Sequence, residues 1–192
     1  MKKKLLILAG GYSKERDISF KTAKAVHHQI KKDFNCKILD PKLNFIKDIR
    51  KFNPEIVFNA LHGRYGEDGY IQLILENEKI RYTHSGVKAS SICINKIVSK
   101  RIFNKNNILS PKYLVLKNFS EKNLKQIYKR IRNFLKFPVV IKPINEGSSV
   151  GVFICGKKNF FKNIKKLQNE KEILIEKYIP GREIQVAIMG NK

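Results

Sequence analysis

The chain is 192 residues long, 42% hydrophobic and 10% aromatic, which supplies a core and argues against a disordered chain. Its net charge of +24 invites nucleic acid or an anionic membrane surface as partner, yet 32 of its 40 basic residues are Lys and 8 are Arg. Arginine leads in bidentate recognition of bases and phosphates, and these lysines are scattered among many Asn, Ile and Phe, a mixture expected from drift towards AT-rich codons.

The opening "MKKKLLILAGG" imitates a signal peptide, but its apolar run Leu5–Ala9 is five residues, short of the ~7–15 that such a segment needs. "KLLILA" reads better as a first buried strand. A Gly10-Gly11 turn follows, then a helix over "SKERDISFKTAKAVHHQIKK" with Ile18, Val26 and Ile30 on one face. "CKILD" is a second strand, "FIKDIRKF" a short helix and "EIVFNAL" a third, continuously apolar strand. The loop "HGRYGEDG" leads into the helix "YIQLILENEK". This order predicts an α/β fold, a parallel, Rossmann-like sheet with helices on both faces. Ligands of such sheets bind at the carboxyl ends of the strands, where residues 10–16 and 62–69 fall.

The texture changes near Ser85-Gly86. One helix is expected through "VKASSICINKIVSKRIFNKN", then the strand "YLVLKNF", the Lys-rich helix "EKNLKQIYKRIRNFLK" and the strand "PVVIKP". After a Gly/Ser loop come "GVFIC", a helix near 160–168, and the strands "EILIEKYI" and "EIQVAIM". Short strands with intervening helices suit a small α+β lobe, so two domains are expected, residues 1–86 and 87–192. Cys36, Cys93 and Cys155 form no C-x-x-C pair and no disulfide framework, which points to a reducing compartment. No segment approaches the ~20 apolar residues of a membrane span, so a cytoplasmic location is expected.

Only 16 acids balance the bases, and Glu15, Glu67, Asp68, Glu146, Glu176 and Glu183 all lie in motif-like stretches. Gly10-Gly11 before a helix exposes backbone N–H groups, which makes either an anion site or a plain strand-to-helix turn. In "ALHGRYGEDG", His62 is either a candidate site residue or a satisfied core histidine, and Glu67-Asp68 mainly cap the next helix. Lys96 and Lys100 share a helix face. Lys142 closes a strand just before "PINEGSSVGV", a loop whose donors and hydroxyls suit phosphate oxygens, although the order is not that of a P-loop. In "ILIEKYIPGRE", Glu176 and Lys177 interrupt an apolar run ahead of a Pro-Gly turn, as an adenine-binding connection or an ordinary surface loop would.

The ordered motifs "GGYSKERDIS", "ALHGRYGEDGYIQ", "YTHSGVKASSICINKIVSK", "PVVIKPINEGSSVGV" and "LIEKYIPGREIQVAI" resemble those of the D-alanine–D-alanine ligases of the ATP-grasp superfamily, along the whole chain. The resemblance implies a pre-ATP-grasp domain at 1–86 and an ATP-grasp domain from 87, whose small lobe runs to about 178. It implies that Lys96, Lys142 and Ser149 contact ATP phosphates, that Glu176, Lys177 and Ile179 frame the adenine, and that Glu183 holds the ribose. Glu15 and His62 would face the first D-alanine, Glu15 near its ammonium, with Ser148 holding the site closed through Glu15. ATP and Mg²⁺ (or Mn²⁺) are the implied cofactors, and D-alanyl-D-alanine for peptidoglycan the implied product.

Asn95 departs from the acidic residue that usually precedes the lysine at position 96. The family's metal carboxylates and its contacts to the second D-alanine fall in a larger lobe that this sequence does not include. The 192 residues alone are therefore expected to be inactive, and the full-length protein is expected to be a homodimer with no nucleic-acid or membrane partner. The rival readings are a D-alanine–D-lactate or other ATP-grasp carboxylate–amine ligase and, from a different class, a basic nucleic-acid-binding remnant.

Overall fold

A computed structural model describes residues 2–117, 119–120, 123–147, 149–188 and 190. The chain divides into two compact units, Met1–Ile108 with Pro143–Gly151, and Leu109–Lys142 with Val152–Lys192.

The first unit holds a four-stranded parallel sheet in the order β2-β1-β3-β4, formed by β1 (Lys4–Leu8), β2 (Asn35–Leu39), β3 (Ile56–Asn59) and β4 (Arg81–Tyr82). Side chains on a strand alternate between faces, so a sheet covered on both sides needs an unbroken apolar run. "LLILA" is such a run. Leu6 and Leu8 pack with Val57, Ile49, Ile71 and Leu75 on one face, while Leu5, Ile7 and Ala9 pack with Ala23 and Phe20 on the other. Full burial of each such Leu or Ile contributes about 1.5–3 kcal/mol. The helices that supply these partners are α1 (Arg16–Ile30), α2 (Phe45–Phe52) and α3 (Tyr70–Asn77).

The core face of α1 is carried by Ser19, Phe20, Ala23, Val26 and Ile30; Ile18 is 51% exposed, contrary to expectation. Ile18 precedes the Ser19–Ala23–Val26–Ile30 stripe by one residue, about 100° around the helix, which turns it to the water side. β4, two residues long, has too little pattern to be seen in the sequence.

The single helix expected over 87–106 is two, α4 (Val87–Ile94) and α5 (Lys96–Lys105). Asn95 lies between them in an extended conformation, and its side chain accepts from the N–H groups of Ile97 and Val98, both at 3.1 Å. Both helices group with the first unit, so the compact units do not divide at residue 86.

The second unit carries a four-stranded sheet in the order β5-β8-β6-β7, from β5 (Tyr113–Lys117), β6 (Val139–Pro143), β7 (Phe153–Cys155) and β8 (Glu172–Lys177). β5 pairs antiparallel with β8, and β6 with β7. Helices α6 (Leu124–Phe134) and α7 (Phe160–Lys165) bury Leu124, Ile131, Phe160 and Ile164 against Val139, Ile141, Ile173 and Ile175. Residues 183–188 are not a strand: Ile184, Val186 and Ile188 are 72%, 77% and 89% exposed. An alternating pattern becomes a strand only when a neighbouring edge takes up its hydrogen bonds, and no described residue pairs with this one.

Candidate functional site

In the first unit the candidate residues gather where β1 and β3 end. The Gly10-Gly11 turn has positive φ at both residues, +93° and +71°. Its N–H groups are already occupied. Gly10 donates to Ser19 Oγ at 2.8 Å, and Gly11 donates to Asp40 Oδ1 at 3.0 Å. Ser19 Oγ in turn donates to the Ala60 carbonyl at 2.7 Å, which ties the turn to the end of β3. The anion at this turn is therefore the protein's own carboxylate, and the alternative of an open anion site is set aside. Arg16 completes the arrangement, donating to the Gly11 carbonyl at 2.8 Å and through both terminal nitrogens to Asp40. Sequence reasoning missed Asp40. Its only signal was an acid at the end of a strand.

Glu15 occupies the N-cap position of α1, its side chain making no capping hydrogen bond, and is 7% exposed. Its carboxylate lies against two glycines: a methyl group on Gly63 would come within 2.7 Å of Oε2, and one on Gly147 within 3.5 Å. The Glu67 carboxylate borders the same glycine, 3.7 Å from that methyl position. His62 Nδ1 lies 3.4 Å from Glu67 Oε1 and its Nε2 lies 3.3 Å from Thr22 Oγ1. The two acids expected to cap α3 divide their work. Asp68 accepts from the N–H groups of Tyr65 and Tyr70, at 2.8 and 3.1 Å, and fixes the helix start, while Glu67 turns to His62. His62 lines both a cleft of about 860 Å³, with Gly10, Tyr12 and Tyr65, and a cavity of about 280 Å³, with Thr22, Asn59 and Glu67.

The Gly/Ser loop follows β6. Ser148 lies outside the described residues; Ser149 is exposed with φ +61°, and Val150 N–H closes the turn on the Gly147 carbonyl at 2.9 Å. Lys96, at the start of α5, sends its ammonium to the carbonyls of Ile144 (3.2 Å) and Glu146 (2.5 Å) at the root of this loop.

In the second unit, Val139 and Ile141 face the core, so the alternate position 142 points to the other side of the sheet. There the Lys142 ammonium is bound by the Glu176 carboxylate. Lys177 donates its N–H to the Lys112 carbonyl at 2.9 Å and Tyr178 donates to Pro138 at 3.2 Å, so two backbone donors of the expected adenine edge are occupied by the fold. Ile179 and Glu183 follow on an exposed stretch, Ile179 being 61% exposed. Among the described residues no helix is long and apolar enough to cross a membrane, and no group of three or more His, Cys, Asp or Glu side chains could hold a metal ion.

A parallel sheet with helices on both faces in one unit, and an antiparallel sheet backed by two helices in the other, make this an α/β protein of the ATP-grasp type. Residues 102–192 match the family model of the D-ala D-ala ligase C-terminus. The D-alanine–D-alanine ligase of Pelagibacter ubique (strain HTCC1062) is 58% identical over 193 residues, covering 100% of this chain and 63% of that protein. The crystal structure of D-alanine–D-alanine ligase from Bacillus anthracis superposes with a TM-score of 0.75 at 32% identity, over 93% of this chain and 58% of that one. A second structure of that enzyme, complexed with ATP, gives 0.72 at 29% identity, over 93% and 60%. Along its whole length the chain is similar to D-alanine–D-alanine ligases, and it spans 63% and 61% of the first two curated relatives it matches.

Proposed function

We propose that the chain serves the ATP-dependent joining of two D-alanines for peptidoglycan, with Glu15 and His62 holding the first substrate. The observation that carries this reading is the buried Glu15 carboxylate, set against Gly63 and Gly147 at the carboxyl end of the parallel sheet. A carboxylate there is a partner for an amino acid's ammonium group, and the neighbouring His62 offers a ring N–H to its carboxylate.

In the reaction, a carboxylate oxygen of the first D-alanine attacks the γ-phosphorus of ATP and ADP leaves. The resulting acyl phosphate is attacked at its carbonyl carbon by the second amine. Phosphate departs with the electrons of the C–O bond, and the nitrogen gives up a proton. Such transfers depend on positioning and charge neutralisation. Lys142 and Lys96 would neutralise phosphate charge, and Ser149 with neighbouring N–H groups would close over it, with Ser148 closing on Glu15. Glu176, Lys177 and Ile179 would border the adenine and Glu183 the ribose.

Mg²⁺ (or Mn²⁺) would accompany the nucleotide by shielding phosphate charge. No cluster among the described residues fits it, and none of these residues is assigned to it. The reading extends to residues 1–86 and 87–192 as sequence modules, to a cytoplasmic homodimer when full length, and to the absence of a nucleic-acid partner.

Calorimetric titration of the protein with D-alanine and, separately, with ATP tests the reading. Glu15→Gln is expected to remove D-alanine binding and leave ATP binding in place. Binding of L-alanine as tight as that of D-alanine, or D-alanine binding unchanged by Glu15→Gln, overturns it.

A further inference from the structure

We propose that Asp40 and Arg16 are positioning residues for Glu15. The proposal rests on the reading of Glu15 as the group that meets the substrate ammonium. It starts from the Gly10-Gly11 turn, where a side chain at position 10 would be strained by φ +93° and would displace its neighbours: a methyl group there would lie 2.7 Å from Asp40 Oδ1, 2.8 Å from the Phe20 ring and 2.9 Å from Arg16 Nη1. The turn is thus enclosed by the two charged groups and an aromatic ring. Arg16 Cζ sits 5.0 Å from the centroid of that ring, a cation–π contact that fixes the plane of the guanidinium.

Asp40 follows directly after β2, and Arg16 is the first residue of α1, next to Glu15 in sequence. Their two-pronged pairing therefore ties the end of a sheet strand to the residue beside Glu15, the carboxylate proposed to meet the substrate ammonium. Asp40 also accepts the Gly11 N–H, and Arg16 donates to the Gly11 carbonyl, so both polar groups of one peptide residue are fastened to the same pair. A planar guanidinium loses less freedom per hydrogen bond than an ammonium would, which suits it to hold a fixed geometry. The side chain of Arg16 is 38% exposed and that of Asp40 17%, so the brace sits at the surface while the carboxylate it aims is buried. Glu15 has little tolerance for movement. It is bordered by Gly63, where a methyl group would lie 2.7 Å from Oε2, and by Gly147, where one would sit in ordinary contact at 3.5 Å.

The test compares Asp40→Asn and Arg16→Lys with Glu78→Gln, which breaks the surface pair Arg50–Glu78 in the same unit and serves as a control. Two readouts are taken: the amide resonances of Gly63 and Gly147, which report on the neighbouring Glu15 carboxylate, and the dissociation constant for D-alanine. Asp40→Asn is expected to shift both resonances and weaken D-alanine binding about tenfold, with Arg16→Lys intermediate. Glu78→Gln is expected to change neither. If Asp40→Asn lowers the melting temperature but leaves the two resonances in place, the pair only supports the fold and the proposal is wrong. Should Asp40→Asn fail to fold, Arg16→Lys decides by the same readouts. Should the wild type not bind D-alanine, the functional reading fails, and the glycine resonances still decide the positioning.

Discussion

Lys142 on β6 and Glu176 on β8 form an ion pair on one face of the antiparallel sheet, with side chains 19% and 11% exposed. Each directly follows a core residue of the opposite face, Ile141 and Ile175. Removing one partner of such a pair strands the other charge. Glu176→Ala is expected to lower stability by about 1–3 kcal/mol, less than for a fully buried pair because both groups keep some contact with water. Urea denaturation measures it. A variant as stable as the wild type would mean that solvent already satisfies Lys142. Lys142→Ala, in turn, should weaken ATP binding roughly ten- to hundredfold, the range of a lost charge-assisted contact.

Asn95 stops α4 and starts α5 through its side-chain carbonyl. Asn95→Ala leaves the N–H groups of Ile97 and Val98 without that acceptor and is expected to cost about 1 kcal/mol. Asn95→Asp keeps the acceptor and adds a negative charge at the positive end of the α5 dipole, so it should be neutral or slightly stabilising. An Asp at this position and the Asn found here are expected to be interchangeable as caps. A loss of stability in Asn95→Asp as large as in Asn95→Ala would refute this.

Gly63 has φ +65° and touches the Glu15 carboxylate. Gly63→Ala therefore carries two penalties, a left-handed backbone under a side chain, on the order of 1 kcal/mol, and a methyl group 2.7 Å from Glu15 Oε2. D-alanine binding should fall by more than the change in stability accounts for. Thermal melting and titration on the same sample separate the two, and unchanged D-alanine affinity would show that the Glu15 carboxylate does not meet the substrate.

Burial pushes the Asp40 carboxyl up, but hydrogen bonds from Arg16 and the Gly11 N–H, together with the charges of Arg16 and Lys42, outweigh it and hold the group below the usual range. A carboxylate whose folded pKa is depressed adds stability above its unfolded value, about 3.9, and loses it as pH falls through the folded value. Stability differences between wild type and Asp40→Asn should be constant from about pH 7 to 5 and close as the pH drops below about 3.9. Denaturation at a series of pH values measures this. A difference that widens in acid would assign the effect to another group.

Much of the architecture follows from local pattern. "LLILA" reads as a buried strand, and its five consecutive apolar side chains do alternate into two cores; "FIKDIRKF" is a helix over the same eight residues as α2. The Gly/Ser stretch was legible as a loop because clustered glycine and serine after an apolar strand do not continue it.

Tertiary structure alone decided which groups meet. The Gly10-Gly11 turn advertises free N–H donors in the sequence, but Asp40, 29 residues further on from Gly11, takes one of them, and a contact between strands leaves no trace in local periodicity. Lys142 and Glu176 were each readable as nucleotide contacts, whereas their pairing depends on β6 and β8 being neighbours. The break at Asn95 and the exposed stretch at 183–188 make the same point. A capping side chain can divide an otherwise continuous helical pattern, and an alternating pattern is a strand only once a partner edge supplies its hydrogen bonds.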